Sequence, residues 1–146
     1  MAVLEIREVG DPVLRTQTNK VKEITDKTRE LLDNMQETMY EANGVGLAAP
    51  QIGISKAITV IDIGDGLIEL INPEIIEKSE QNYQDEEGCL SIPDQTGKVK
   101  RAYGVKVRAQ DRNGEEFEME AEGLLARAIQ HELDHLNGVL FIDKLV

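Results

Sequence analysis

Aromatic side chains and cysteine are scarce in this sequence of 146 residues. It contains no tryptophan, two phenylalanines, three tyrosines and a single cysteine. One cysteine excludes an intramolecular disulfide and is typical of a reducing compartment, so we expect a cytoplasmic protein. With so few aromatic rings, the core has to be built from Leu, Ile, Val and Ala.

The sequence also contains few basic residues and no long apolar run. The chain has 16 Lys and Arg against 28 Asp and Glu, and the resulting net charge of -12 argues against binding to a phosphate backbone. No stretch approaches the ~18 consecutive apolar residues of a membrane span, and residues 1–10 lack the apolar run of a signal peptide. We therefore expect neither a nucleic acid nor a membrane as a partner.

The length and composition predict one domain over residues 1–146. A chain of this size can bury roughly 70% of its unfolded surface. A hydrophobic content of 40% and a charged content of 30% are ordinary for a globular protein.

Both histidines of the chain fall in the segment His131-Glu132-Leu133-Asp134-His135. Four residues along a helix advance about 6 Å and complete slightly more than one turn, so both imidazoles lie on one face and can share a metal ion. Glu132 then points to the flank, where it can reach a water molecule at the metal. The plainer alternative is a helix with two solvent-facing histidines. An apolar stripe at helical spacing supports the helix, formed by Leu124, Leu125, Ala128, Ile129, Leu133 and Leu136.

Two histidines leave a catalytic site of this kind one protein ligand short. Downstream, the last position of the longer H-E-x-x-H-x-x-G-x-x-H pattern is Phe141, which cannot bind a metal. Upstream, Cys89 is the only soft ligand. A lone cysteine is usually a small buried hydrophobe, but Cys89 follows a glycine and has polar neighbours. With His131 and His135 it would leave one coordination position open, as in catalytic sites.

A segment rich in small residues runs from Gly44 to Gly53. Its G-x-G-x-x-A spacing matches a dinucleotide fingerprint, but a predicted helix precedes it and Pro50 follows, so that interpretation fails. Gly and Ala instead leave the backbone open to close approach. The amide of Gln51 could donate a hydrogen bond to a developing oxyanion. The alternative is a packing turn with an exposed glutamine.

Elsewhere the patterns predict a mixed α and β architecture. An apolar stripe predicts a long helix over residues 25–43. Strands are predicted over 57–63, 67–76, 103–111 and 117–121, the last two joined at Asn113-Gly114. Pro73 indicates a strand end or an edge position. Residues 139–146 form a short apolar segment that we expect to be attached to the body of the protein.

Three segments together resemble the motifs of the peptide deformylase family. The family patterns G-φ-G-φ-A-A-x-Q, E-G-C-L-S and H-E-x-D-H correspond to residues 44–51, 87–91 and 131–135. The resemblance extends from residue 10 to residue 141. It implies a cytoplasmic bacterial enzyme that removes the formyl group from N-formylmethionine of new polypeptides. The implied fold is α+β, with antiparallel sheets packed around the helix that carries both histidines and with a long N-terminal helix.

The resemblance also implies a role for each matching residue. Cys89, His131 and His135 would hold one divalent metal ion per chain, expected to be Fe²⁺, although Zn²⁺, Ni²⁺ or Co²⁺ can occupy such a site. Glu132 would be the general base, and the amide of Gln51 and the N–H of Leu90 would stabilise the oxyanion. The peptide substrate would be contacted by Val45, Gly46, Gly88 and Leu124.

Some positions depart from the family pattern. Asp85 and Arg127 stand where apolar residues line the methionine pocket in some members, so the two either pair with each other or turn outward. Thr96 replaces a basic residue of some members, which predicts different binding beyond the first residue of the peptide. The sequence ends without the basic C-terminal helix of many relatives, so ribosome docking through such a tail is not expected. We expect a monomer that acts on nascent chains.

Two other functions fit part of the sequence pattern less well. A general metalloprotease is disfavoured because the downstream ligand is absent and a cysteine thiolate suits a different metal preference. An inert structural metal module is disfavoured because a closed site needs neither the base Glu132 nor the oxyanion donor Gln51.

Overall fold

The first long helix lies in the N-terminal half of the chain. The computed structural model describes residues 2–146, and in it α1 spans Asp26–Glu41, close to the predicted range. Thr25 and Thr28 form a capping box at its start, which satisfies backbone N–H groups that have no partner within the helix. One face buries Leu32, Met35 and Met39 against the sheet.

Seven strands lie in the described part of the chain, and all of their pairings are antiparallel. Five of them form one sheet in the order β1-β2-β3-β6-β7, and β4 pairs with β5 in a separate two-stranded sheet. Antiparallel sheets combined with two α-helices confirm the predicted α+β class. The strands are β1 Gly46–Ala48, β2 Ile58–Ile61, β3 Ile68–Lys78, β4 Asn82–Cys89, β5 Ile92–Ala102, β6 Gly104–Gln110 and β7 Glu116–Glu122.

The second helix, α2, spans Gly123–Leu136 and is buried along most of its length. It contacts β1, β2, β6 and β7 of the larger sheet and β5 of the smaller one. Its C-terminal turn ends at Gly138, whose φ of +74° favours glycine. A Cβ atom there would lie 2.6 Å from the backbone oxygen of Arg15, so no other residue fits without displacing that segment.

The β4–β5 hairpin was not predicted. Its first strand, Asn82–Cys89, is largely acidic and polar, and its second contains a proline and a glycine, so neither shows the alternation on which strand prediction depends. The three-residue strand β1 was also missed, because it lies in the segment of small residues. β3 continues past Pro73, with a register shift between Ile71 and Glu74. Pairing with β2 stops at Ile71, so Pro73 lies at the edge of the sheet on that side. Of the two positions predicted for Pro73, a strand end or an edge, the edge is correct.

The last residues of the chain lie against the smaller sheet. Phe141 is buried, Val146 donates a backbone hydrogen bond to Lys98, and Leu145 forms an isolated bridge with Val99. Attachment of residues 139–146 to the body of the protein agrees with the expectation from the sequence. Within residues 2–146, no helix has both the length and the apolar character to cross a bilayer.

Candidate active site

The only cysteine and both histidines of the chain meet at one point. The Sγ atom of Cys89 lies 3.3 Å from Nε2 of His135, and one ligand atom from each of the three residues lies within 4.8 Å of the others. Three donors bound to a single ion at 2.0–2.3 Å in tetrahedral geometry are separated by about 3.4–3.6 Å. Cys89, His131 and His135 therefore form a group that could hold a metal ion.

Two different elements carry these donors. The histidines are four residues apart on α2, and their ring centroids are 5.0 Å apart. Cys89 is the last residue of β4, directly after a register shift between Gly88 and Cys89. The donor group therefore forms only when the hairpin is seated on α2.

Glu87 fixes the orientation of one imidazole. Its Oε1 atom lies 2.9 Å from Nδ1 of His131, which leaves the Nε2 atom of that ring directed toward Cys89 and His135. Arg101 donates to both carboxylate oxygens of Glu87 at 2.9 Å. Burial alone would raise the pKa of Glu87, but hydrogen bonds from Arg101 and His131 outweigh it and hold the pKa well below its usual range.

The two histidines differ in their electrostatic environment. Burial, followed by the charge of His131, lowers the pKa of His135 to about 3, which keeps this ring neutral and able to act as a ligand. Burial also opposes charge on His131, but hydrogen bonds to Cys89 and Glu87 raise its pKa to about 10. The surroundings of His131 thus stabilise a positive charge at this position.

Glu132 is a buried carboxylate whose Oε1 atom has no hydrogen-bond partner within the described residues. Burial raises its pKa to about 7, and the charge of His131 opposes part of that rise. Gly46 faces it so closely that an added Cβ would lie 2.5 Å from Oε2. Only glycine leaves room for the carboxylate there. A carboxyl group that titrates near neutral pH is suited to proton transfer.

Gln51 is buried, with 1% exposure, so the alternative of an exposed glutamine is wrong. Its Oε1 accepts a hydrogen bond from the backbone N–H of Ala48 at 2.9 Å, which fixes the orientation of the amide. The Nε2 atom then donates to Ser91 Oγ at 3.2 Å and lies 3.5 Å from Cys89 Sγ. The Nε2 group of Gln51 is therefore directed at Cys89 of the donor group and at the neighbouring Ser91.

A cavity of about 440 Å³ opens directly onto this site. Val45 and Leu124, 51% and 55% exposed, flank its mouth. Apart from His135, every site residue predicted from the sequence borders the cavity: Val45, Gly46, Gln51, Gly88, Cys89, Leu90, Leu124, His131 and Glu132. The fold brings together residues that are spread over three distant segments of the chain.

Sequence reasoning missed the buried ionic network behind the donors. Arg127 neither pairs with Asp85 nor turns outward, so neither expectation holds for it. Its side chain is 4% exposed, and its guanidinium donates to Glu87 and to the backbone of β4 and β5. Asp85 is exposed and accepts from the backbone N–H of Glu86. The one available signal was Arg127, a single charged residue within the apolar run of residues 124–129.

The sequence of this chain matches one protein family over almost its whole length. The family model described as Polypeptide deformylase matches residues 3–146. The chain belongs to the polypeptide deformylase family. The resemblance drawn from the three motifs is thereby confirmed, and with it the assignment of the chain as an enzyme.

Deformylases of several bacteria are similar over the whole chain. The peptide deformylase of Halothermothrix orenii is 63% identical over 148 residues, covering 100% of this chain and 96% of that relative. That of Carboxydothermus hydrogenoformans is 58% identical over 144 residues, covering 99% and 94%. The crystal structure of the Thermotoga maritima deformylase matches with a TM-score of 0.98 and 45% identity, over 100% of this chain and 99% of that one. A Synechococcus elongatus deformylase in complex with actinonin has a TM-score of 0.96 and 47% identity, over 98% and 79%.

Proposed function

We propose that this deformylase hydrolyses the formamide bond of N-formylmethionyl peptides and releases formate and a free amine. The observation that carries the proposal is the position of Glu132. Its carboxylate has an oxygen without a hydrogen-bond partner among the described residues, and Glu132 borders the same cavity as the metal donors Cys89 and His131. The chain acts as one catalytic domain, as a monomer, on nascent polypeptides in the cytoplasm.

The donor chemistry fits a divalent transition metal. One thiolate and two imidazoles suit Fe²⁺, which we propose, and equally accept Zn²⁺, Ni²⁺ or Co²⁺. Glu132 Oε1, a buried polar atom without a hydrogen-bond partner among the described residues, is where the water of a bound ion would be accommodated. When bound, the ion would supply Lewis acidity for the formyl oxygen and would lower the pKa of water.

Glu132 moves the proton in this mechanism. It takes a proton from the attacking water as the water oxygen bonds to the formyl carbon. The same carboxyl group then delivers that proton to the departing amine nitrogen as the C–N bond breaks. A pKa near 7 suits both roles, because the group can lose and regain a proton around neutral pH.

Two donors would stabilise the negative charge that develops on the formyl oxygen. The Nε2 group of Gln51 is already directed at Cys89, and its amide cannot rotate without losing the bond to Ala48. We assign the second donor to the backbone N–H of Leu90, the residue after Cys89, which borders the cavity. Preorganised donors of this kind typically contribute about 10²–10³-fold to turnover.

The peptide is proposed to lie in extended form across the mouth of the cavity. Val45, Gly46 and Gly88 would contact it through their main-chain groups, as in strand addition, and Leu124 would contact its first side chain. Gly46 and Gly88 border the cavity without a side chain to block the backbone of a ligand.

The test is formate release from formyl-Met-Ala-Ser by protein that is purified without air and assayed for metal in the same sample. We expect formate in proportion to bound iron. Acetyl-Met-Ala-Ser serves as the matched control, and we expect little or no acetate from it. Cleavage of internal peptide bonds in place of formate release would favour the metalloprotease, and one bound metal without any hydrolysis would favour the inert module.

A further inference from the structure

Ser91 lies next to the candidate active site but does not border its cavity. It follows Leu90 in the turn between β4, which ends at Cys89, and β5, which begins at Ile92. Ser91 is fully buried, whereas Cys89 and Leu90 line the cavity, as does Gln51. A substrate in the cavity would therefore not touch Ser91, so any role of its hydroxyl in the reaction has to pass through a neighbouring group.

That neighbouring group is the amide of Gln51. Its Nε2 atom carries two N–H groups, and it lies 3.2 Å from Ser91 Oγ and 3.5 Å from Cys89 Sγ. The Oε1 atom of the same amide accepts from the backbone N–H of Ala48 at 2.9 Å. The bond to Ala48 opposes a flip of the amide, but by itself it leaves the amide free to tilt about one contact. The bond to Ser91 supplies a second fixed point, so the two bonds together determine the orientation of the amide.

The main chains of Gln51 and Ser91 are held independently of this side-chain contact. The backbone oxygen of Gln51 accepts from the N–H of Arg7 at 2.6 Å, and that of Ser91 accepts from the N–H of Val9 at 2.8 Å. Residues 7–9 therefore link the two segments of the site. Removal of the Ser91 hydroxyl leaves both backbone bonds in place and takes away only a partner of the Gln51 amide.

We propose that Ser91 is a positioning residue whose hydroxyl accepts one N–H of the Gln51 amide and thereby keeps the other N–H directed at the formyl oxygen. This inference rests on the proposed function, in which Gln51 stabilises the oxyanion. A donor that is fixed before the reaction stabilises the developing charge without having to reorganise. Without the Ser91 hydroxyl, the bond to Ala48 would be the only strong hydrogen bond of this amide, and its donor would spend part of the time out of place.

A double-mutant cycle between Ser91 and Gln51 tests this role, with formyl-Met-Ala-Ser as the substrate. We expect Ser91→Ala to lower kcat by about 10-fold, because a misplacement of about 1 Å can cost up to about 10²-fold in rate. KM and metal content should stay within about twofold of the wild type. In a Gln51→Ala background the same substitution should change kcat by less than about twofold, since no amide is left to hold. An equal loss in both backgrounds, or no loss in either, would overturn the proposal.

Two further variants separate the hydroxyl from the packing of the side chain. Ser91→Thr and Ser91→Val introduce side chains of the same shape that differ only in the hydroxyl, and they decide the question if Ser91→Ala does not fold. We expect kcat of Ser91→Thr to exceed that of Ser91→Val by at least about fivefold, and equal values would contradict the proposal. Ser55→Ala is the matched control. The Oγ atom of Ser55 is buried without a hydrogen-bond partner among residues 2–146, so its loss should leave kcat unchanged.

Hydrogen exchange of the Gln51 side-chain amide separates this inference from the proposed function. NMR follows both Nε2 protons in the diamagnetic zinc form, and Gln51→Ala assigns their signals. We expect Ser91→Ala to speed their exchange by at least about tenfold. The amide of Gln130, which donates to the backbone oxygens of Ala102 and Ala126, should exchange as in the wild type. If Gln51 exchanges equally slowly in folded Ser91→Ala, the inference is wrong. If the wild type releases no formate, the proposed function fails, and the exchange of Gln51 alone decides whether Ser91 holds the amide.

Discussion

The carboxylate of Glu87 lies 2.9 Å from Nδ1 of His131, so a residue outside the donor group determines which nitrogen of that ring is available to a metal. Replacing Glu87 with Gln removes the negative charge and lets the amide present an N–H to the ring. We expect metal affinity to fall by about 10–100-fold. Competition with a chelating dye measures the metal affinity of each variant. Glu118→Gln, which removes a surface carboxylate paired with Arg108, is the control and should bind metal like the wild type.

Lowering the pH should reduce the free energy of unfolding, and the carboxylate of Glu87 is responsible for part of this loss. In the folded state the pKa of Glu87 is held below the usual value of 4.5, so below that pH the unfolded chain takes up a proton that the folded protein resists. The stabilisation is therefore complete above about pH 5 and is lost progressively as the pH falls below 4.5. Urea unfolding of metal-free wild type and Glu87→Gln at pH 6 and pH 3.5 should show the gap between their free energies of unfolding narrowing in acid. A gap that is equal at both pH values contradicts the prediction.

Glu132→Gln should separate metal binding from turnover. The variant keeps the size of the side chain and the three metal donors but cannot accept a proton, so we expect kcat to fall by about 10²–10⁴-fold with metal content unchanged. Formate release and metal analysis of the same sample check both values. Activity within about tenfold of the wild type would remove Glu132 from its role as base.

Gly46→Ala tests how closely the backbone approaches that carboxylate. The new methyl group would lie 2.5 Å from Glu132 Oε2, so the carboxylate has to move. We expect at least a tenfold loss of kcat, because a displacement of about 1 Å can cost up to 10²-fold in rate. Gly104→Ala is the matched control, since its nearest contact would be an ordinary 3.5 Å. Equal activity of the two variants would show that Glu132 tolerates displacement.

The sequence predicts both α-helices and four of the seven strands, but not β1, β4 or β5. Helix α1 and the strands around Asn113-Gly114 follow from apolar periodicity and turn chemistry. The β4–β5 hairpin has no such pattern, because most of its residues are exposed and only a few, such as Ile92 and Val99, are buried in a hydrophobic cluster. The buried ionic network behind the metal donors is not predicted from the sequence either. Pairing of β4 with β5 brings Glu87 to Arg101, and the seating of this hairpin on α2 then adds Arg127.

The β4–β5 hairpin is a sheet of its own, without a strand in common with the five-stranded sheet. A two-stranded hairpin is only marginally stable by itself, so its order depends on what ties it to α2: Arg127, the pair of Arg101 with Asp134, and the two bonds between Gln130 and Ala102. A cation shared by Cys89 and the histidines would add a further tie between the same two elements. Amide hydrogen exchange in β4 and β5 should therefore slow when metal is added, while exchange in β2 and β3 should hardly change. The rate of amide exchange in the β4–β5 hairpin would then report the fraction of the protein that has metal bound.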